Sequence, residues 1–166
     1  MLDAVSDTKQ FDLRALRNAF GRFATGVAVV SLTDADGQAT GVTISSFSSL
    51  SLEPPLCLFS LGKNQVSCRW IEAGNGFNVN ILRDDQQGAA WQFAKPSEDK
   101  FDGVAWYEGR NGLPVIADNL CHFECAHWET YDGGDHIIVV GRIDHFEEGR
   151  GDPLVFYRGA MATVSQ

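Results

Sequence analysis

From Phe11 onward the apolar positions Leu13, Leu16, Phe20 and Phe23 recur at helical spacing, with Arg14, Arg17 and Arg22 between them. This pattern predicts a helix with one greasy face, and Asp12 is placed to cap its start. The period then changes. Val27-Ala28-Val29-Val30 is an unbroken apolar run of strand length, and Asp34-Ala35-Asp36-Gly37 is a turn into a second strand over residues 41–47. Pro54-Pro55, which cannot donate to a ladder, closes the next loop, and residues 56–61 form a third strand. Gly62-Lys63-Asn64 opens a helix through Val66, Trp70 and Ile71, which Gly74-Asn75-Gly76 stops. Phe77, Val79 and Ile81 alternate with Asn78 and Asn80, giving a strand with one apolar face and one amide face. Residues 84–93 form a helix broken at Lys95-Pro96-Ser97. A long hairpin follows, from strand 121–131 through the turn Asp132-Gly133-Gly134-Asp135 to strand 136–146, and residues 153–158 are the last strand.

Short strands, tight glycine turns and few helices argue a mainly antiparallel β-barrel with helices outside. Strand and helix do not alternate regularly, so a doubly wound fold is excluded. The 166 residues suit one domain, residues 11–166, behind a tail of residues 1–10. No repeat or linker interrupts it.

Composition narrows the partners. Hydrophobic residues are 44% and charged residues 21%, ordinary for a globular chain. With 22 acids against 13 bases and a net charge of −9, the surface should repel nucleic acid and anionic membrane. No apolar run approaches the roughly 20 residues of a spanning helix. The opening MLDAVSDTKQ lacks a basic start and a greasy stretch, so a cytoplasmic location is expected. A phosphate-bearing ligand would need a locally basic site within this acidic chain.

The cysteines Cys57, Cys68, Cys121 and Cys125 raise a metal reading, above all in Cys121-His122-x-x-Cys125-x-His127. Along a strand, Cys121 and Cys125 lie roughly 13 Å apart. A zinc holding each sulfur at about 2.3 Å cannot bridge that gap, and neither can a disulfide. Buried reduced thiols and no metal are expected.

The chain has no G-x-G-x-x-G after a strand, Walker loop, HExxH pair or G-x-S-x-G elbow. Gly62-Lys63-Asn64-Gln65-Val66-Ser67 passes from strand to helix start, where free N–H groups, the Lys63 ammonium and the Ser67 hydroxyl suit a phosphate. A capped helix with a solvated lysine fits equally. The hydroxyls of residues 43–51 can meet a heteroaromatic ring or a polyol, or simply face solvent. Asn78 and Asn80 can reach ligand carbonyls or line an exposed face. His136, after Gly134-Asp135, is placed for proton transfer or ligand orientation, or is a turn residue.

Taken in order, these pieces resemble the short-chain flavin reductases. The segments are Phe23-Ala24-Thr25-Gly26-Val27-Ala28-Val29-Val30, then Gly41-Val42-Thr43-Ile44-Ser45-Ser46-Phe47-Ser48-Ser49-Leu50-Ser51-Leu52-Glu53-Pro54-Pro55, then Phe77-Asn78-Val79-Asn80-Ile81-Leu82, and Gly134-Asp135-His136. These enzymes are reductase components of two-component flavin-dependent monooxygenases. Ser97-Glu98-Asp99-Lys100-Phe101 and the hairpin at residues 133–142 look most like the reductase of 4-hydroxyphenylacetate 3-monooxygenase systems.

The resemblance implies a Greek-key-like FMN-binding split β-barrel, homodimeric, with FMN or FAD near the subunit interface and NADH, or alternatively NADPH, as reductant. By motif, Thr43, Ile44, Ser45 and Ser46 would line the isoalloxazine and ribityl chain. Ser60, Leu61, Lys63 and Ser67 would surround the phosphate, and Asn78, Val79 and Asn80 would lie beside the flavin. His136 would be the catalytic-site contact to the nicotinamide nucleotide, with Phe156, Tyr157 and Arg158. Ser46 stands where many members carry Asn. The implied partner is a flavin-dependent monooxygenase acting on an aromatic compound. The rival readings are a pyridoxamine-phosphate-oxidase-like enzyme and a non-catalytic flavin- or haem-binding barrel.

Overall fold

The computed structural model describes residues 11–164, so the expected tail at residues 1–10 lies outside it. Helix α1, Leu13–Phe20, starts where the Asp12 carboxylate accepts from the N–H groups of Arg14 and Ala15. Strands β1 (Thr25–Gly26), β2 (Ala28–Thr33), β3 (Ala39–Ile44), β4 (Ser48–Leu52) and β5 (Pro55–Gly62) follow. Next come α2 (Val66–Glu72), β6 (Phe77–Ile81) and α3 (Gln87–Ala94), which a 3-10 turn at Asp84–Gln86 leads in. Strands β7 (Trp106–Glu108), β8 (Pro114–Ile116), β9 (Cys121–Gly133), β10 (His136–Glu148), β11 (Leu154–Tyr157) and β12 (Ala160–Thr163) complete the chain.

Seven strands form one antiparallel sheet in the order β3-β2-β6-β9-β10-β5-β4. Its two edges, β3 and β4, are consecutive in the chain and joined by residues 45–47 alone. In a flat sheet those edges would stand roughly 29 Å apart. The link spans at most about 14 Å. The sheet must therefore roll, and the expected split barrel results. A second sheet, β1-β11-β12, lies beside it, and β7-β8 form a two-stranded strap.

Strand β2 explains its own apolar run. Ala28, Val30 and Leu32 point into the barrel core with Phe59, Phe77 and Val139. Val27 and Val29 point the other way, into a second core with Leu82, Phe93, Phe101, Ile116 and Leu154. One strand is the wall between two cores. Inside the barrel Phe59 and Phe77 meet edge to face at 5.2 Å. Gly141 makes room for them, since a Cβ there would lie 2.6 Å from the Phe77 ring. All four cysteines are free thiols, and Cys57 and Cys125 stand 3.8 Å apart in the core. The hydrogen bond to Cys57, and then burial, push the Cys125 thiol up.

Five strands differ from the sequence expectation, the two-residue β1 among them. Residues 48–52 form β4, not a loop; serine-rich and mostly exposed, it pairs with β5 alone. The last strand is β12, reached through a turn with Arg158 at φ 51° and Gly159 at φ 81°. The three-residue strands β7 and β8 were too short to show a period. The second helix begins at Val66, because residues 62–65 close a turn in which the Gln65 N–H donates to the Gly62 carbonyl at 3.0 Å.

Candidate functional site

The ladder between β5 and β10 sets His136 opposite Gly62, Ile137 opposite Leu61 and Ile138 opposite Ser60. The Lys63 N–H donates to the Asp135 carbonyl at 3.0 Å, tying the start of the 62–65 turn to the tip of the long hairpin. Gly134, at φ 82°, lets that tip reverse in two residues. Across the barrel seam the Ser46 hydroxyl donates to the Ser60 carbonyl at 2.9 Å and accepts from the Ser60 N–H at 3.0 Å. Ser46, Ser60, Lys63 and His136, far apart in sequence, thus gather at one rim of the barrel, and Ser45, next to Ser46, is exposed.

The charged groups of this rim are exposed and paired with one another. The Lys63 ammonium pairs with the Asp132 carboxylate, and their side chains are 45% and 78% exposed. Such an exposed, solvent-screened pair contributes little to stability. His136 Nδ1 lies 2.7 Å from Asp135 Oδ1, and the His136 side chain is half exposed. That hydrogen bond, followed by the imidazole charge, holds the Asp135 carboxyl below its usual range. The Lys63 hydrogen bond does the same for Asp132. Helix α2 has seven residues and its N-cap, Gln65, makes no side-chain cap bond. Lys63, more than the helix dipole, is the positive element. Ser67 sits in the first turn of α2 and is buried.

Other expected site residues go elsewhere. Ile44, Leu61 and Val79 are core side chains packed inside the barrel. The Thr43 hydroxyl donates to the Ala90 carbonyl at 2.6 Å and is committed to α3. Asn78 and Asn80 correct the amide-face expectation, because both are wholly buried. Asn80 donates to the Val29 carbonyl and the Ser31 hydroxyl, and accepts from the Ile116 N–H. Asn78 exchanges hydrogen bonds with Asn111 and donates to the carbonyls of Leu113 and Pro114. The amide face is covered by the strap, which it fastens to the barrel. Phe156, Tyr157 and Arg158 belong to the β1-β11-β12 sheet and its turn, where Phe156 opposes Thr25 and packs on the second core. The Arg158 guanidinium lies 5.9 Å from the Tyr157 ring centre.

Sequence reasoning missed Asp132, Asp135 and Gly62 as partners of Lys63 and His136. The adjacency of Asp135 to His136 was the only local signal. A cleft of about 480 Å³ lies away from the rim, beside α3, but Asp85, Asp102 and Asp118 against Arg83 make it a poor phosphate site.

Residues 20–165 match the family described as flavin reductase like domain. The chain belongs to that family. A probable flavin reductase of Rhizobium meliloti is 42% identical over 153 residues, covering 92% of this chain and 49% of its own length. The chain therefore spans about half of that relative. The reductase subunit HsaB of a flavin-dependent monooxygenase from Rhodococcus jostii is 39% identical over 163 residues, covering 98% and 83%. Among solved structures, an NADH:FAD oxidoreductase of Streptomyces globisporus in complex with NAD and FAD fragments superposes with a TM-score of 0.88 at 37% identity, covering 93% of each chain. The flavin reductase family thus accounts for the barrel.

Proposed function

We propose that this chain is an NADH-dependent flavin reductase that reduces FMN or FAD by hydride transfer. It releases the reduced flavin to a partner monooxygenase of an aromatic compound. The observation that carries this reading is the convergence of Lys63, Ser46 and His136 on one rim in a chain of the flavin reductase family. The rim residues fit a flavin nucleotide. Lys63 offers a cation to the phosphate, Ser45 and Ser60 offer hydroxyls to the polyol, and the His136 ring is free at Nε2. When bound, the flavin and nicotinamide supply the redox chemistry themselves. The protein binds, orients and excludes water. Asp135 fixes the His136 ring, and His136 positions the nicotinamide nucleotide by a hydrogen bond rather than by giving up a proton. The exposed Lys63–Asp132 pair favours weak flavin binding, as release to a second protein requires.

The Lys63 and His136 side chains are about half exposed in a single chain, and α1 leaves Leu13 and Phe20 each about 70% exposed. A second copy covering these apolar groups, as a homodimer, completes the site and burial of the helix face. We place the enzyme in the cytoplasm; no helix among the described residues is long and apolar enough to cross a membrane. Purified protein should oxidise NADH only when free FMN or FAD is added, followed by loss of NADH absorbance. Tight flavin binding without turnover by NADH or NADPH would overturn the reading in favour of a binding protein.

A further inference from the structure

Strands β9 and β10 carry the same tripeptide, His122-Phe123-Glu124 and His145-Phe146-Glu147. The antiparallel ladder sets Glu124 opposite His145, Phe123 opposite Phe146 and His122 opposite Glu147. Alternate residues share a face. Two imidazoles and two carboxylates therefore form a square on the outer face, while the Phe123 and Phe146 rings lie 6.3 Å apart on the other. This register depends on a bulge: the ladder shifts between Ile143 and His145, leaving Asp144 as the extra residue. Without it Asp144 would oppose Glu124, and His145 would turn to the opposite face.

The side chains of His122 and Glu124 are each 3% exposed, and those of His145 and Glu147 are 22% and 56% exposed. One donor atom each from His122, Glu124 and His145 lie within 4.8 Å of one another. A cleft of about 180 Å³ reaches His122 between Tyr107, Asp118, Asn119 and Glu147.

An independent observation points to a ligand. The neighbours of His122 on this outer face are satisfied: the Asn78 and Asn80 amides bond as described, and Glu124 accepts from the N–H groups of Arg110 and Asn111. His122 Nε2 is buried with no hydrogen-bond partner, 3.5 Å from Glu124 Oε1. Buried ring nitrogens normally have a partner. Here one imidazole nitrogen is left over and faces a carboxylate.

We propose that His122, Glu124 and His145 bind a divalent transition metal of the zinc class, with the Glu147 carboxylate beside them. Imidazole and carboxylate together suit zinc, whereas magnesium and calcium take oxygen sets. Bonds of about 2.0–2.1 Å in a tetrahedral site place donors roughly 3.4 Å apart, so donors now within 4.8 Å must close by up to about 1.4 Å through side-chain rotation. His145 lies nine residues along β10 from His136, roughly 30 Å at strand rise. The site is thus remote from the rim, and its role is to pin β9, β10 and the loop at Arg110 and Asn111. Flavin reduction does not require the metal.

The test uses the full chain, stripped with chelator and titrated with zinc by calorimetry and with cobalt(II) by visible absorption. One metal per chain is expected, with cobalt bands free of thiolate charge transfer and a rise in melting temperature. His145→Ala, at a partly exposed position, should weaken binding about 100-fold or more while NADH-dependent flavin reduction persists. Should His122→Ala fail to fold, His145→Ala and Glu124→Gln still decide. Absence of metal binding, unchanged affinity in His145→Ala, or a cobalt–thiolate signature would overturn the proposal.

Discussion

Two polar regions of this barrel look alike in sequence and differ in kind. At the rim, Lys63, Asp132, Asp135 and His136 are exposed and paired weakly with one another. On the outer wall, Ser31, Asn78 and Asn80 are buried, and their polar atoms are occupied by the strap and by each other. Exposed pairs can be exchanged for a ligand at small cost, whereas buried ones cannot be broken without stranding a donor or acceptor. Saturation, more than polarity, separates a fastening from a binding site.

The largest effect should come from the wall. Asn80→Ala strands the Ile116 N–H, removes the donor to the Val29 carbonyl and the Ser31 hydroxyl oxygen, and should lower stability by about 3–5 kcal/mol in chemical denaturation. Flavin affinity of the folded fraction should not change. A stable Asn80→Ala protein with weakened flavin binding would reverse the comparison and return Asn80 to the ligand. At the rim the order inverts. Lys63→Ala should leave unfolding within about 1 kcal/mol of the parent. It should weaken flavin binding about 10- to 150-fold, for a charge-assisted bond of roughly 1.5–3 kcal/mol. An unchanged flavin titration would make Lys63 a solvated partner of Asp132 only.

A smaller effect is expected at His136. His136→Ala should reduce kcat/KM for NADH some 3- to 150-fold with little change in flavin affinity. Collapse of the maximal rate at saturating NADH, with an altered pH profile, would instead mark an obligatory acid. The finest test is a carboxyl titration of Asp135 by NMR. Its midpoint should fall below the ordinary value of about 3.9, since the His136 hydrogen bond favours the charged form. The bond is then intact above about pH 4 and is lost as pH falls through the lowered midpoint. A midpoint at or above the ordinary value would mean that Asp135 does not hold the ring.

Periodicity exposed the long elements, and β2, β5, β6, α3 and the β9–β10 hairpin all stand where it put them. It could not show β4 or β12, whose serines and alanines pair only because a neighbouring strand is already in place. Nor could it tell which way Asn78 and Asn80 are used. A strand facing solvent and a strand facing a polar strap have the same alternation, and the strap's own strands are three residues long. At the rim the sequence names Lys63 and His136 as candidates, and the fold adds the acids beside them, Asp132 and Asp135. The His122–His145 pairing needed a bulge, and a bulge of one residue leaves no mark on the hydrophobic pattern.

The three-residue seam between β3 and β4 also has a kinetic side. The two edges of the sheet come from adjacent hairpins, β2–β3 and β4–β5, which can form early from local pairings. The strands that must sit between them, β6, β9 and β10, are made later in the chain and include ladders joining Phe59 to Val139 and Val30 to Val79. A nascent chain therefore holds two joined hairpins with their inner edges unpaired until residue 148 has been synthesised. Such nonlocal closure slows folding and leaves strand edges open to other chains in the interval. Refolding yield should accordingly fall as protein concentration rises.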